Sequence, residues 1–461
     1  MMFFSNQSKH AIPPTPTPTF ILTDTSSTIT KLDASEAGST PLSKSLDKRL
    51  TELQDSVGEF SPEAAQVLSA VGNACLKNED YKEALRYYTQ ALDVTKKVVH
   101  PDHPDIADVL ASIGFASIKL EMPTESKSNF NAALAIYLKA HSDRTWATTT
   151  DGSTKQIDYD LQRKIACMRS ALGTSEFEHK NFSGAKKHFE DALLDSKRSA
   201  VTAVALDRAK SADESAVLSE ARINVSEMFN NIANACAEQG DKEEAIKNYN
   251  SALALQIQVS GEDNLSVACT LHNIGTMHYR SGEFHFALKS YKQVLKMHRY
   301  LFGNEDVRIA DVLLNIATVH EKADEIERCV SAISAANRIS GKHHGRESVQ
   351  CADINQRLAG VYARSKCEDL ALENYQKALA IYRRIGLEDS HPSVEAVETA
   401  LTYLENKNDE NSASGIVSAT EVWTDIFNKG CGKFCFAGEV EPSPISTKNG
   451  ITNSPPSVIT I

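Results

Sequence analysis

A chain of 461 residues, 41% hydrophobic and 24% charged, has the composition of a folded protein rather than a disordered one. Its 49 Lys and Arg against 61 Asp and Glu leave a formal net charge of -12 with no long basic stripe, which argues against a nucleic-acid partner. No apolar run approaches the roughly 18 residues of a membrane span, and Met1 to Lys9 lacks the pattern of a secretory signal.

Residues 1–60 read as a flexible arm. Pro13, Pro14, Pro16 and Pro18 alternate with threonines, and a Ser/Thr-rich stretch follows through Thr40. Such a segment cannot bury enough apolar surface to offset its ordering entropy. Within it, Leu46, Leu50, Leu53, Val57 and Phe60 are spaced 4, 3, 4, 3. That pattern predicts a short helix near 43–58, either capping the repeats that follow or forming a two-heptad seam with a second chain.

From about Ser61 to Asn406 the chain repeats itself. Gly72 is followed at offsets of 12, 16 and 19 by Ala84, Tyr88 and Ala91. The same offsets from Gly114 give Ser126, Phe130 and Ala133; from Gly173, Ala185, Phe189 and Ala192; from Ala233, Ala245, Tyr249 and Ala252. Gly275, Ala317 and Ala359 continue the series, with Tyr291, Ile333 and Tyr375 at the bulky position. Small residues let two helices approach closely, and the aromatic is expected to fill the space between one pair and the next. Each unit breaks at a polar turn, such as Lys77–Asp80, Glu238–Asp241 and Arg280–Glu283, where Gly supplies a positive φ. Asp or Ser in the loops His100–Pro104 and Ser390–Pro392 is expected to cap the next helix. Cys75, Cys236, Cys269, Cys329 and Cys351 fall inside helices, where a free thiol serves as a small core residue. Nine cysteines without paired spacing predict a reducing, cytoplasmic setting.

The usual step is 42, but Gly114 to Gly173 is 59 and Gly173 to Ala233 is 60. The extra residues fall near 141–157 and 199–217. The first is Thr-rich and reads as a rim loop; the second, with Ala203, Val204, Ala205 and Leu206, reads as a helix extension. A last unpaired helix, about 392–406 and carrying Tyr403 and Leu404, is expected to cover the end of the core. Residues 407–461 read as a second flexible tail. It holds a capping box, Ser418 to Glu421, before an amphipathic helix near 419–428.

The Ala-and-aromatic code is similar to that of tetratricopeptide repeats. The 42-residue step, the Asp102-His103-Pro104 loop and the openings Asn230-Asn231-Ile232, His272-Asn273-Ile274 and Leu314-Asn315-Ile316 resemble kinesin light chain repeats. The resemblance covers about 61–406 and implies an all-α fold, a right-handed superhelical solenoid of seven helix pairs plus a cap, with disordered tails. Kinesin light chains also carry a long N-terminal heptad region, where this chain shows two heptads.

The resemblance further implies a concave groove lined by the first helix of each pair, at positions three before, one after and four after each anchor. In the middle repeats these are Asn230, Asn234 and Ala237; His272, Thr276 and Tyr279; Leu314, Thr318 and Glu321. Asn231, Asn273 and Asn315 recur two before each anchor. An amide offers a donor and an acceptor, so a row of them suits the backbone of an extended peptide, or equally a bond between neighbouring helices.

Several chemistries fail at the residue level. A chaperone-type carboxylate clamp needs basic residues six before the anchor, where this chain has Gln66, Asp108, Cys167, Glu227, Cys269, Asp311 and Asp353. His272, His278 and His285 lack the i, i+4 spacing of metal ligands on one helix face. Neither a phosphate loop nor a nucleophile elbow occurs, so neither cofactor nor catalysis is expected. In the tail, Glu421, Trp423 and Asp425 resemble the tryptophan-acidic cargo peptides of kinesin light chains, and could occupy the chain's own groove as an autoinhibitory ligand. Cys431 and Cys435 beside Lys429 and Lys433 suit S-acylation. The reading is a non-catalytic scaffold that binds peptide segments of partner proteins, without nucleic acid. Its alternatives are a lipid-tethered adaptor and a cargo adaptor.

Overall fold

The computed structural model describes residues 61–143, 153–207 and 215–410. Every regular element in them is an α-helix: α1 Pro62–Lys77, α2 Tyr81–Val98, α3 Pro104–Lys119, α4 Pro123–Asp143, α5 Ser153–Glu178, α6 Phe182–Asp207, α7 Ser215–Gln239, α8 Lys242–Ser260, α9 Leu265–Arg280, α10 Phe284–Phe302, α11 Val307–Lys322, α12 Ile326–His343, α13 Val349–Arg364, α14 Glu368–Arg384 and α15 Pro392–Glu410. The described residues up to Val259 form one compact unit and those from Ser260 form another. Within each, consecutive helices pack as pairs, and the second helix of a pair also packs on the first helix of the next. The arm with the helix expected near 43–58, and the tail from 411 with the helix expected near 419–428, lie outside the described residues.

One turn geometry recurs in all seven pairs. The residue seven after each anchor has a positive φ: Glu79, Glu121, Lys180, Gly240, Gly282, Asp324 and Lys366. The next N–H then reaches back to the carbonyl three after the anchor, from Asp80 to Cys75 and from Glu283 to His278 among others, at 2.8–2.9 Å. This is the 6→1 bond of a Schellman motif, which satisfies a carbonyl left open at the helix end. Glycine fills the left-handed position only twice. The other five turns hold the left-handed conformation with a side chain, against a cost of about 1 kcal/mol each.

The anchors explain the spacing. A Cβ on Gly114 would stand 2.5 Å from Phe130 Cε1, and on Gly72 or Gly173 2.6 Å from Tyr88 or Phe189 Cε1. The aromatic therefore lies on the glycine of its own pair, rather than in the space between pairs as the sequence suggested. Ala84, Ala91, Ala185, Ala192, Ala287 and Ala371 are fully buried beside these rings.

Three other expectations change. The loop caps are histidines: His103 Nδ1 accepts from Asp105 N and His391 Nδ1 from Ser393 N, each at 3.2 Å. Imidazole reaches the second N–H of the helix because the proline at N1 fixes the approach of the chain. Cys269 is exposed, while Cys75, Cys236, Cys329 and Cys351 are buried as expected. The first long insertion is helical at both ends, since α4 runs to Asp143 and α5 starts at Ser153. Nor are the extra turns solvent-borne: Ala200 and Ala203 of α6 join Tyr159 of α5 and Ala221, Val225 and Phe229 of α7 in a hydrophobic cluster. At the other end, Val394, Val397, Ala400 and Leu404 of α15 are fully buried against Tyr375 and Tyr382 of α14.

Candidate functional site

The residues that the sequence assigns to a groove lie on the first helices, and each unit is described by itself. In the first unit, α7 presents Glu227, Asn230, Asn231 and Asn234, spaced 3, 4 and 7 from Glu227 and so on one face. Asn230 and Asn231 are buried. Asn234 Oδ1 accepts from Tyr249 OH at 2.5 Å, and Asn73 does the same for Tyr88 at 2.7 Å. The residue one after the anchor thus serves the anchor's own aromatic.

The second unit follows the same rule with a different side chain. Thr276 Oγ1 pairs with Tyr291 OH at 2.9 Å. Thr318 donates to Leu314 O at 2.9 Å and accepts from Arg357 Nη2 of α13 at 2.5 Å. Glu321, one turn further on, is ion-paired with Arg364 and lies 3.7 Å from Arg357. Leu314 is buried. Asn234, Thr276 and Thr318 are accordingly engaged in holding helices together.

His272 packs at a tilt against Tyr291, with ring centroids 5.3 Å apart and an interplanar angle of 60°. Burial, and then the neighbouring His298, push its pKa down to about 4, so it is neutral at pH 7. Tyr279 packs on Phe284, centroids 6.1 Å apart. His278 bonds Glu283 at 2.6 Å, and His320 bonds Glu325 at 2.5 Å one repeat later. Both tether a helix end to the next helix start. Among the described residues no group of three His, Cys, Asp or Glu side chains could hold a metal ion.

Two recurrent amides differ from the rest. Asn273 is half-buried, and Asn315 Nδ2 is buried with no hydrogen-bond partner in the chain. An amide donor so placed costs about 1–3 kcal/mol unless something satisfies it.

The row six before each anchor signalled in the sequence only the failure of a carboxylate clamp, yet it is chemically rich. Asp108 receives Lys164 Nζ at 2.6 and 2.8 Å and Tyr137 OH at 2.5 Å. Asp353 receives Tyr382 OH at 2.5 Å. Glu227 has no such partner, and burial alone raises its pKa to about 7. The unexplained acid at a repeated register was the signal available in the sequence. Trp423, Glu421, Asp425, Cys431 and Cys435 lie outside the described residues.

Stacked antiparallel helix pairs with one shared turn geometry define a helical-repeat protein. The family model for the tetratricopeptide repeat matches residues 63–139 and 224–299. Those two segments are similar to tetratricopeptide repeats, and the 42-residue step and Asn-Ile helix openings of the chain resemble the kinesin light chain repeat type. Solved structures similar to the chain include BtubC (BKLC) from P. vanneervenii, at 16% identity over 57% of this chain and 94% of that one, with a TM-score of 0.40. The apo form of the quorum sensor NprR from B. thuringiensis matches at 15% identity over 82% and 91%, TM-score 0.46. A Rap protein complexed with competence and sporulation factor matches at 14% over 78% and 81%, TM-score 0.38. No curated protein matches the sequence. Among the described residues no helix is long and apolar enough to cross a membrane.

Proposed function

We propose that this chain is a non-catalytic interaction scaffold whose first-helix faces hold peptide segments of partner proteins. The observation that carries the reading is Asn315 Nδ2, a buried donor with no partner in the chain, on a face whose neighbouring polar side chains are already engaged. A peptide carbonyl satisfies such a donor without dictating sequence, as the half-buried Asn273 one repeat earlier would also do. Seven described cysteines are free thiols, in keeping with the reducing cytoplasmic setting we propose. In the cargo-adaptor version, Trp423 with Glu421 and Asp425 would compete for the same face.

The test is retention of a random peptide display library by the full chain, wild type beside an Asn273→Ala, Asn315→Ala double variant. The variant is expected to bind individual selected peptides roughly tenfold less tightly, which is the loss of one or two hydrogen bonds. Equal affinity for every selected peptide would remove this face as the binding site.

A further inference from the structure

Glu227 is the outlier of its register. On α3 the equivalent acid, Asp108, meets an ammonium and a phenol, and on α13 Asp353 meets a phenol. On α7 the carboxyl of Glu227 has neither a hydrogen bond nor an ion pair. On α5, Cys167 feels the carboxylate, and Arg163, which feels Cys167, is taken up by Glu220 at 3.6 Å. The side chain is half-buried rather than sealed, so a ligand can reach it. It shares its helix face with the buried amides of Asn230 and Asn231.

A desolvated, unpaired carboxyl is costly in the free protein, and the cost is recovered when a cation arrives, because the attraction is stronger where water is already excluded. The same site repels an acidic ligand. Resting on the peptide-binding reading above, we propose that Glu227 receives a cationic side chain, Lys or Arg, of the bound peptide segment. The chain thereby selects basic partners at the register where a carboxylate clamp would select acidic ones. Partner choice at this position is set by repulsion of acids as much as by attraction of bases.

The experiment is selection of a random peptide display library on the full chain, comparing wild type with Glu227→Gln and Glu227→Lys. The wild-type pool is expected to be enriched in Lys and Arg at one position. That enrichment disappears on the Gln variant and turns to Asp and Glu on the Lys variant. Synthetic wild-type winners should bind the Gln variant about ten- to a hundredfold more weakly, as for loss of a charge-assisted hydrogen bond. The thermal midpoint of Glu227→Gln should hold or rise, since an unpaired charge has been removed. A wild-type pool without basic enrichment, or an enrichment that survives Glu227→Gln, overturns the assignment and leaves the peptide-binding reading standing. A chain that retains no peptide overturns both. A Gln variant that loses stability along with all peptide binding makes the carboxyl structural, and overturns the assignment too.

Discussion

The two compact units solve the same packing problem by different means. In the unit from Ser260 onward, the first helices α9, α11 and α13 are each 16 residues long, and their partners end at Gly303, Gly345 and Gly386, all with positive φ. Backbone geometry sets the step there. In the unit before it, α5 and α6 run for 26 residues and α7 for 25, well past the regular step. Their extra turns are held by side chains: Arg163 to Glu220 at 3.6 Å, and Thr202 Oγ1 donating to Gln162 at 3.1 Å. Side chains tie the shorter helices too, as Arg338 and Lys342 do to Glu305, but a helix that continues past the step must find partners for each added turn. The long-helix unit is accordingly where an unpaired acid, Glu227, is found.

Removing an aromatic tests what the two units share. Phe130→Ala in the first should destabilise it by about 3–5 kcal/mol, as for other buried Phe truncations, and chemical denaturation will measure it. Tyr291→Phe in the second keeps the ring and loses only the bond to Thr276, so it should cost about 1 kcal/mol. If the two changes cost the same, ring packing on the anchor is not the common principle.

Two groups, one in each unit, should respond to pH in opposite directions. Glu227 has a folded pKa raised to about 7 from 4.5. The unfolded chain therefore releases this proton first, and stability falls as pH rises from about 4.5 to 7, by on the order of 2 kcal/mol. Glu227→Gln should flatten that fall in a series of thermal midpoints. His272 is shifted down to about 4 from 6.5. Its unfolded form takes up a proton first, so its contribution is present above pH 6.5 and lost as pH falls toward 4. His272→Gln should remove that acid-side loss and leave the Glu227 window intact. Identical profiles for wild type and either variant would show that these groups do not distinguish the units.

A smaller change probes the anchors themselves. Gly114→Ala places a methyl against the Phe130 ring and should cost about 1–3 kcal/mol despite the better helix propensity of Ala. The smallest effect concerns the shared turn. Glu79→Gly or Lys180→Gly relieves a left-handed side chain and should raise stability by roughly 0.5 kcal/mol. A loss at those positions would mean that the side chain, not the backbone, defines the turn.

Much of the fold was legible because its determinants are local. Gly114 and Phe130 sit 16 apart within one tight helix pair, so their spacing alone announces the pair. The same register carries a second regularity, the left-handed position seven after each anchor, which is hidden because only Gly240 and Gly282 mark it with the expected residue. The groove was less legible. Asn234, Thr276 and Thr318 looked like free polar positions because their partners, Tyr249, Tyr291 and Arg357, lie 15, 15 and 39 residues away.

By itself, then, the sequence determined the helix pairs and their register, since each depends on residues within one repeat, while the seat of the aromatic on its own pair's glycine came from the packing. Only the tertiary structure decided which polar groups on the first helices are spent and which are left over. Asp108 and Glu227 are both acids six before an anchor, and within its own pair Asp108 is reached by Tyr137, where the repeat of Glu227 has Gln256. Lys164, brought in by the following helix pair, neutralises the first, while burial without a cation leaves the second open.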